Sequence, residues 1–290
     1  MRPSSDERAP ATVGGALRWA AAQLRAVTDR PVLEAELLLA ALLGVSRAWL
    51  FAHPEAPLDE EARRDYARWV AERRGHRPLP YITNEVEFYG LRFIVNEAVL
   101  IPRPETELLV EVALAWLSRH PHAVGVDACT GSGCIAATLA HFEPGVRFCA
   151  TDISPEALRV AQANLRWLRV EGQVHLVQGD LLSMCRRPVD FVFSNPPYVA
   201  AEEWGALPPS VRREPRVALF GGEGGLAIIR RLLAQAARAL RPGGLLLVEV
   251  GARQGEAVLA LAHACFPRGS IHLLRDLADR PRLLRVVRGE

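Results

Sequence analysis

The order of apolar and polar positions divides the chain into two textures. From Gly14 to about Gly75 the pattern is helical. Leu17, Ala20, Ala21 and Leu24 recur at helical spacing, as do Leu33, Leu37, Leu38 and Leu42. Pro31 suits the first turn of a second helix and Gly44 its end. A further helix, about Asp59 to Arg74, carries Tyr66 and Trp69. The segment reads as a small helical bundle. Pro78 and Pro80 break the pattern, and Tyr81-Ile82 with Glu87 to Phe93 read as short strands around a Gly turn, a hairpin linker. Pro104 and its neighbouring acids fit the start of a helix continuing from Leu108 to Leu117.

From Val124 strands and helices alternate. Apolar runs near 124–128, 147–151, 174–177, 189–194 and 244–250 are strand candidates, with helices near 133–142, 155–168 and 224–240 between them. That predicts a mostly parallel sheet covered on both faces. Ser270 to Leu274 and Leu283 to Val287 read as an antiparallel pair closing it. The expected division is a helical domain over 1–79, a linker over 80–100 and an α/β domain over 101–290.

Two stretches carry chemistry. Val126-Asp127-Ala128 runs into Cys129-Thr130-Gly131-Ser132-Gly133 and then a helix. Glycines let backbone approach a ligand, and the helix amino end offers N–H groups. Asp152 ends the next strand, roughly the twenty residues on expected of an acid that binds ribose hydroxyls. Asp180 and Leu181 follow the third strand, where an adenine would lie. Gly131-x-Gly133-x-x-Ala136 also satisfies the dinucleotide fingerprint. The loop alone therefore leaves open a dinucleotide, S-adenosylmethionine, or a structural turn.

Asn195-Pro196-Pro197-Tyr198 follows the apolar run Val189 to Ser194 and breaks that tie. An amide nitrogen is a poor nucleophile because its lone pair is delocalised; the same resonance makes amide rotation cost roughly 18–20 kcal/mol. The Asn195 side-chain oxygen can accept one N–H of a planar amino group and the Pro196 carbonyl the other. The prolines fix the backbone in advance. Tyr198 can stack on the planar group. Such a grip serves methylation by positioning and by stabilising positive charge on nitrogen. No hydride-transfer mechanism needs it.

Bulk properties trim the possibilities. Hydrophobic residues make up 50% of 290 positions, enough for a well-buried core. Net charge is +2, and a nucleic-acid enzyme usually shows a stronger basic bias. All 35 basic residues are Arg, a bias read as compositional rather than functional. The five cysteines, Cys129, Cys134, Cys149, Cys185 and Cys265, are odd in number and form no C-x-x-C pair, so neither a disulfide framework nor a metal site is expected. No apolar run is long enough to span a bilayer, and Met1 to Pro10 lacks the apolar stretch of a secretory signal. A cytoplasmic protein is expected.

On these residues the chain resembles the HemK/PrmC family, release factor glutamine methyltransferases of the class I S-adenosylmethionine-dependent fold. The resemblance rests on Ile101 to Glu107, Asp127 with Thr130 to Gly133, Asp152, Asn195 to Tyr198, Glu214-Pro215 with Ala218-Leu219, the glycines 221, 222, 224 and 225, and Glu249-Val250-Gly251. It implies a Rossmann-like sheet with a small helical domain that helps to grip the partner. It also implies methylation of the glutamine in the Gly-Gly-Gln motif of class 1 peptide release factors by S-adenosyl-L-methionine. By position, Cys129, Thr130, Gly131, Ser132, Gly133, Asp152, Leu181 and Asn195 would contact the cofactor. Asn195, Pro196, Pro197 and Tyr198 would hold the glutamine, with Asn195, Pro196 and Tyr198 catalytic. A monomer acting without nucleic acid or membrane is expected.

Two positions depart from the family pattern. Cys129 stands where many members have Gly, and Leu181 where some have an aromatic. Arg103 to Glu107 would wall the active-site slot, and Arg212 to Arg216 would be a solvated turn or a dock for acids. The rival activities are glutamine methylation of a ribosomal protein and amino-methylation of a flipped-out nucleobase.

Overall fold

The structure, a computed structural model, describes residues 9–290; residues 1–8, part of the amino-terminal stretch discussed above, lie outside the described residues. The chain forms two compact units. One comprises residues 9–84 with Pro208–Arg213, the other Glu85–Leu207 with Glu214–Glu290.

The first unit is helical: α1 Val13–Leu24, α2 Pro31–Leu43, α3 Arg47–Ala52, α4 Glu60–Arg74 and α5 Leu79–Thr83. Side-chain oxygens cap three of these starts, with Thr12 accepting from the Gly15 amide, Ser46 from Trp49 and Asp59 from Ala62. Pro31 opens α2 and Gly44, at φ 65°, closes it. The apolar stripes of α1, α2 and α4 meet in one core containing Ala20, Leu24, Leu38, Leu39, Tyr66 and Val70. The buried Tyr66 hydroxyl donates to the Ala35 carbonyl at 2.9 Å, and Arg73 pairs with Glu34 at 2.6 Å. Both tie α4 to α2. The Arg213 guanidinium donates to the Gly75 carbonyl at 3.1 Å.

Tyr81-Ile82 is not a strand. Both residues lie buried in α5. The hairpin starts later, with β1 Glu85–Phe88 and β2 Leu91–Ile94 around Tyr89 and Gly90, both at positive φ as a two-residue hairpin turn requires.

The second unit continues with α6 Glu107–Leu117, preceded by a single 3₁₀ turn, Pro104–Thr106. Then come β3 Val124–Ala128, α7 Cys134–Phe142, β4 Arg147–Asp152, α8 Pro155–Trp167, β5 Val174–Gln178, β6 Val189–Ser194, α9 Arg216–Leu219, α10 Ala227–Ala239, β7 Leu240–Glu249, α11 Gly255–Cys265, β8 Ser270–Arg275 and β9 Pro281–Val287. The sheet order is β5-β4-β3-β6-β7-β9-β8. Strands β5 to β7 run parallel, while β9 is antiparallel to both β7 and β8 and lies between them. Alternation along β6 serves both faces: Phe191 and Phe193 enter one core with Leu109, Ile135 and Phe148, and Val192 enters the other with Ile229, Leu232 and Val258. Helices α3 and α11 were not foreseen from the sequence.

Asn164 of α8, fully buried, joins three pieces. Its Oδ1 accepts from the Ile94 amide at 2.7 Å, and its Nδ2 donates to the carbonyls of Ile94 and Ser132, each at 2.9 Å. Every hydrogen-bonding position of this amide but one lone pair is used.

Candidate active site

Strand order reverses between β3 and β6, and a cavity of about 430 Å³ opens at their carboxyl ends. Cys129, Thr130, Gly131 and Ser132 line it from the loop after β3, Asp152 from β4, Leu181 from the loop after β5, and Asn195 and Pro197 from the loop after β6. The amino end of α7 contributes Cys134 and Ile135.

Fully buried Asp127 shapes the glycine loop from beneath. Its Oδ2 accepts from the Thr130 hydroxyl at 2.6 Å and the Ala136 amide at 3.3 Å. Burial pushes its carboxyl up to about 7 against both hydrogen bonds. Cys129, Gly131 and Gly133 take positive φ of 59°, 54° and 78°. Gly133 sits behind the cavity wall, where a Cβ would come within 3.2 Å of the Ala161 Cβ on α8. Cys129 adopts the left-handed conformation that glycine takes most readily, and burial raises its thiol pKa, so it stays a neutral thiol. Asp152 closes the loop: its Oδ2 accepts from the Gly131 amide and its Oδ1 from Ser154, both at 2.9 Å. Four lone pairs on two oxygens leave room for further donors.

Leu181 is also at positive φ, 54°. The Thr151 hydroxyl donating to its carbonyl and the Gln235 side chain accepting from the Leu182 amide, both at 2.8 Å, hold it there. Its neighbour Asp180 pairs with Arg231. Leu181, Ile153, Ala157 and Ile228 make this end of the cavity aliphatic.

The Ser194 hydroxyl donates to the Ala128 carbonyl at 2.7 Å and fixes the base of the tetrapeptide. Asn195 Nδ2 donates to the Thr106 hydroxyl at 3.1 Å, and that hydroxyl donates to Glu249 Oε2 at 2.6 Å. The Tyr198 hydroxyl donates to Glu249 Oε1 at 3.4 Å. Asn195 Oδ1 is buried without a hydrogen-bond partner. Pro196 is buried, and the Tyr198 ring packs against the core on its face of the sheet. Burial and the Glu249 charge raise the Tyr198 pKa, so its hydroxyl remains a donor. Burial pushes Glu249 up to about 7 although Thr106 and Arg282 pull it down.

The glycines after α9 hold this backbone at close range. A Cβ on Gly225 would stand 2.1 Å from the Tyr198 carbonyl oxygen, and one on Gly221 2.7 Å from the Pro197 oxygen. Gln254 donates to the Tyr198 carbonyl at 2.9 Å. The Val199 amide donates to the Leu219 carbonyl and the Gly221 amide to the Val199 carbonyl.

Thr106, Glu214 and Glu249 entered the sequence reading only within longer stretches, with no role of their own, and the structure gives each one a partner. Glu214 is not in a solvated turn. It is buried, pairs with Arg103 and accepts from the Ile101 amide at 3.0 Å. Of the segment Arg103 to Glu107, Thr106 lines the cavity, whereas Glu107 turns away to accept from the Tyr89 amide at 2.9 Å. Arg216 lies over the rings of Trp204 and Phe220 at 5.5 and 5.1 Å, at the edge of the same cavity. Among the described residues no cluster of His, Cys, Asp and Glu suits a metal ion.

Residues 15–83 match the PrmC N-terminal domain and residues 105–206 the methyltransferase small domain. The chain is 44% identical to the release factor glutamine methyltransferase of Moorella thermoacetica, covering 90% of this chain and 93% of that one. It is 48% identical to the Koribacter versatilis protein of the same name, covering 77% and 80%. Among solved structures, a methyltransferase from Pyrococcus furiosus superposes with a TM-score of 0.51 at 18% identity, covering 70% of this chain and 91% of that one. The hMettl16 catalytic domain, solved with the MAT2A 3'UTR hairpin 6, gives 0.56 at 19%, covering 78% and 82%. At those identities the likeness concerns the fold.

Proposed function

The chain belongs to the release factor glutamine methyltransferase family, and we propose that its substrate is the glutamine of the Gly-Gly-Gln motif in class 1 peptide chain release factors. It is an S-adenosylmethionine-dependent protein-glutamine N-methyltransferase. The observation that carries the substrate reading is the buried, unpartnered Oδ1 of Asn195, a residue of the cavity wall. A lone acceptor held in that position calls for an N–H donor, and a primary amide supplies one.

The cavity's residues fit the methyl donor. Asp152 has lone pairs to spare for ribose hydroxyls, the loop Cys129 to Ser132 brings backbone to the wall, and Leu181 with Ile153 offers an apolar bed for adenine. When bound, S-adenosyl-L-methionine supplies an electrophilic methyl group on sulfonium. Asn195 and the Pro196 carbonyl hold the glutamine NH₂ so that its lone pair faces that end of the cavity. Pro197 shapes the slot, and Tyr198 braces it from behind. Rate enhancement comes from orientation and from acceptors that favour charge growing on nitrogen. No strong general base is needed, because an N-alkylated amide sheds its extra proton readily.

The helical unit supplies the release factor contact in this reading, supported by its match to a domain named for the family. Among the described residues no helix is long and apolar enough to cross a membrane. The reading places the enzyme in the cytoplasm, as a monomer acting where translation ends.

Transfer of tritiated methyl tests it with a release factor, a ribosomal protein and DNA offered side by side. Label is expected on the release factor glutamine. Label on the ribosomal protein or DNA with the release factor bare would overturn the assignment. A Gln→Glu release factor should stay at background, because Asn195 Oδ1 would then face a carboxylate. Asp152→Ala is expected to weaken cofactor binding about 10- to 100-fold by calorimetry, the worth of one or two hydrogen bonds to a charged group. Unchanged affinity would remove Asp152 from the ribose.

A further inference from the structure

We propose that Glu249, acting through Thr106, fixes which end of the Asn195 amide faces the substrate. The inference rests on the glutamine reading above and adds two positioning residues to it. An Asn side chain is nearly symmetric in shape but opposite in chemistry at its two ends: Oδ1 accepts and Nδ2 donates. Only one of its two orientations grips an NH₂ group.

Three hydrogen bonds decide between them. An ionised Glu249 can only accept, and both of its oxygens are taken by donors, Thr106 at 2.6 Å and Tyr198 at 3.4 Å. The single Thr106 proton is therefore committed to Glu249. Toward Asn195 the Thr106 oxygen can offer only lone pairs, so Asn195 must present Nδ2 to it, at 3.1 Å. Oδ1 is left buried and unpartnered, on a residue that lines the cavity. Thr106 is 1% exposed and Glu249 likewise 1%, so water does not compete for these bonds. The arrangement is available because Asn195 and Glu249 leave the carboxyl ends of adjacent parallel strands, β6 and β7.

The direction of these bonds depends on the Glu249 charge. Thr106, Tyr198 and Arg282 face it and favour the carboxylate, whereas burial and Glu105 oppose it, leaving its pKa at about 7. Below that pH the carboxyl gains a proton and can donate to Thr106, which frees Thr106 to donate to Asn195 Oδ1. Nδ2 can then turn to the substrate. Activity should accordingly fall as pH drops through about 7 and be full above it. Asp127 titrates in the same range, so the deciding observation is whether this limb vanishes in Glu249→Gln.

The test uses the full chain with Thr106→Ser, Thr106→Val and Glu249→Gln. Thr106→Val, which keeps the shape and loses the hydroxyl, should lose about 10- to 100-fold in kcat with cofactor affinity unchanged. Thr106→Ser should restore activity to within about threefold, since the hydroxyl is what matters. Glu249→Gln should be slower and flat across pH 6–8. Methyl transfer is paired with the side-chain amide resonance of ¹⁵N-labelled Asn195. That signal should be preserved in Thr106→Ser, shift in Thr106→Val, and titrate in the wild type but not in Glu249→Gln. Equal impairment in the Ser and Val variants, or full activity in the Val variant, would overturn the proposal. If the wild type leaves the release factor unlabelled, the glutamine reading falls instead. The amide resonance then decides the relay alone, and indifference to both Thr106 substitutions removes it.

Discussion

Asn195→Ala is expected to lower kcat for release factor methylation by about 10³-fold or more while the Kd for S-adenosyl-L-methionine moves by less than about tenfold. The substitution deletes a buried, unpartnered acceptor on a residue that lines the cavity and leaves the Thr106 hydroxyl without its Nδ2 donor. The hydrogen bonds that shape the glycine loop do not pass through Asn195. Asp152 keeps its bonds to Gly131 and Ser154, and Thr130 keeps its bond to Asp127. Tritiated-methyl turnover with parallel calorimetry separates the two effects. Turnover within about tenfold of the wild type would show that the amide is held by something other than Asn195. A collapse of cofactor affinity would show that the tetrapeptide belongs to the donor pocket more than to the substrate slot.

The second large effect comes from a residue with no functional group. Gly225→Ala is expected to abolish transfer and to lower Tm by several degrees. The added methyl would lie 2.1 Å from the Tyr198 carbonyl oxygen and 2.5 Å from Gln254 Nε2, at a φ of 70° that already disfavours a side chain. The backbone must retreat, and the tetrapeptide with it. Gly224→Ala is the control. It shares a positive φ, 56°, but its Cβ would meet nothing within 4 Å, so only the conformational cost of about 1–2 kcal/mol applies. Transfer should survive in Gly224→Ala and fail in Gly225→Ala. Equal behaviour would mean that strain rather than contact governs this turn.

What the sequence disclosed about the site was whatever lies in one short stretch. The glycine loop, Asp152 and the tetrapeptide are each local signals placed after apolar runs that form strands. Thr106, Glu214 and Glu249 are of ordinary residue types, and their partners lie 51 to 143 positions away along the chain. Only the fold brings them together, so no spacing rule could expose the hydrogen bonds that orient Asn195. Two errors in the elements have local causes. Tyr81 and Ile82 have the β-branched or aromatic character of strand residues, and Pro80 reads as a breaker, yet proline is tolerated in the first turn of a helix. Helix α11 is rich in alanine and leucine on several sides, which blurs the 3.6-residue period that reveals an amphipathic helix.

The Asn164 amide gives this catalytic unit a mechanical property. By taking both the N–H and the C=O of Ile94, it occupies the place of a neighbouring strand at the end of the hairpin, and with its remaining hydrogen it holds Ser132 of the glycine loop. Hairpin, α8 and loop are thereby latched by one side chain with no solvent access. Such a latch opens all at once or not at all, because releasing any arm strands a buried polar group. Fraying of the hairpin and loosening of the glycine loop become a single cooperative event, so the hairpin is a structural support of the cavity wall as well as a connector.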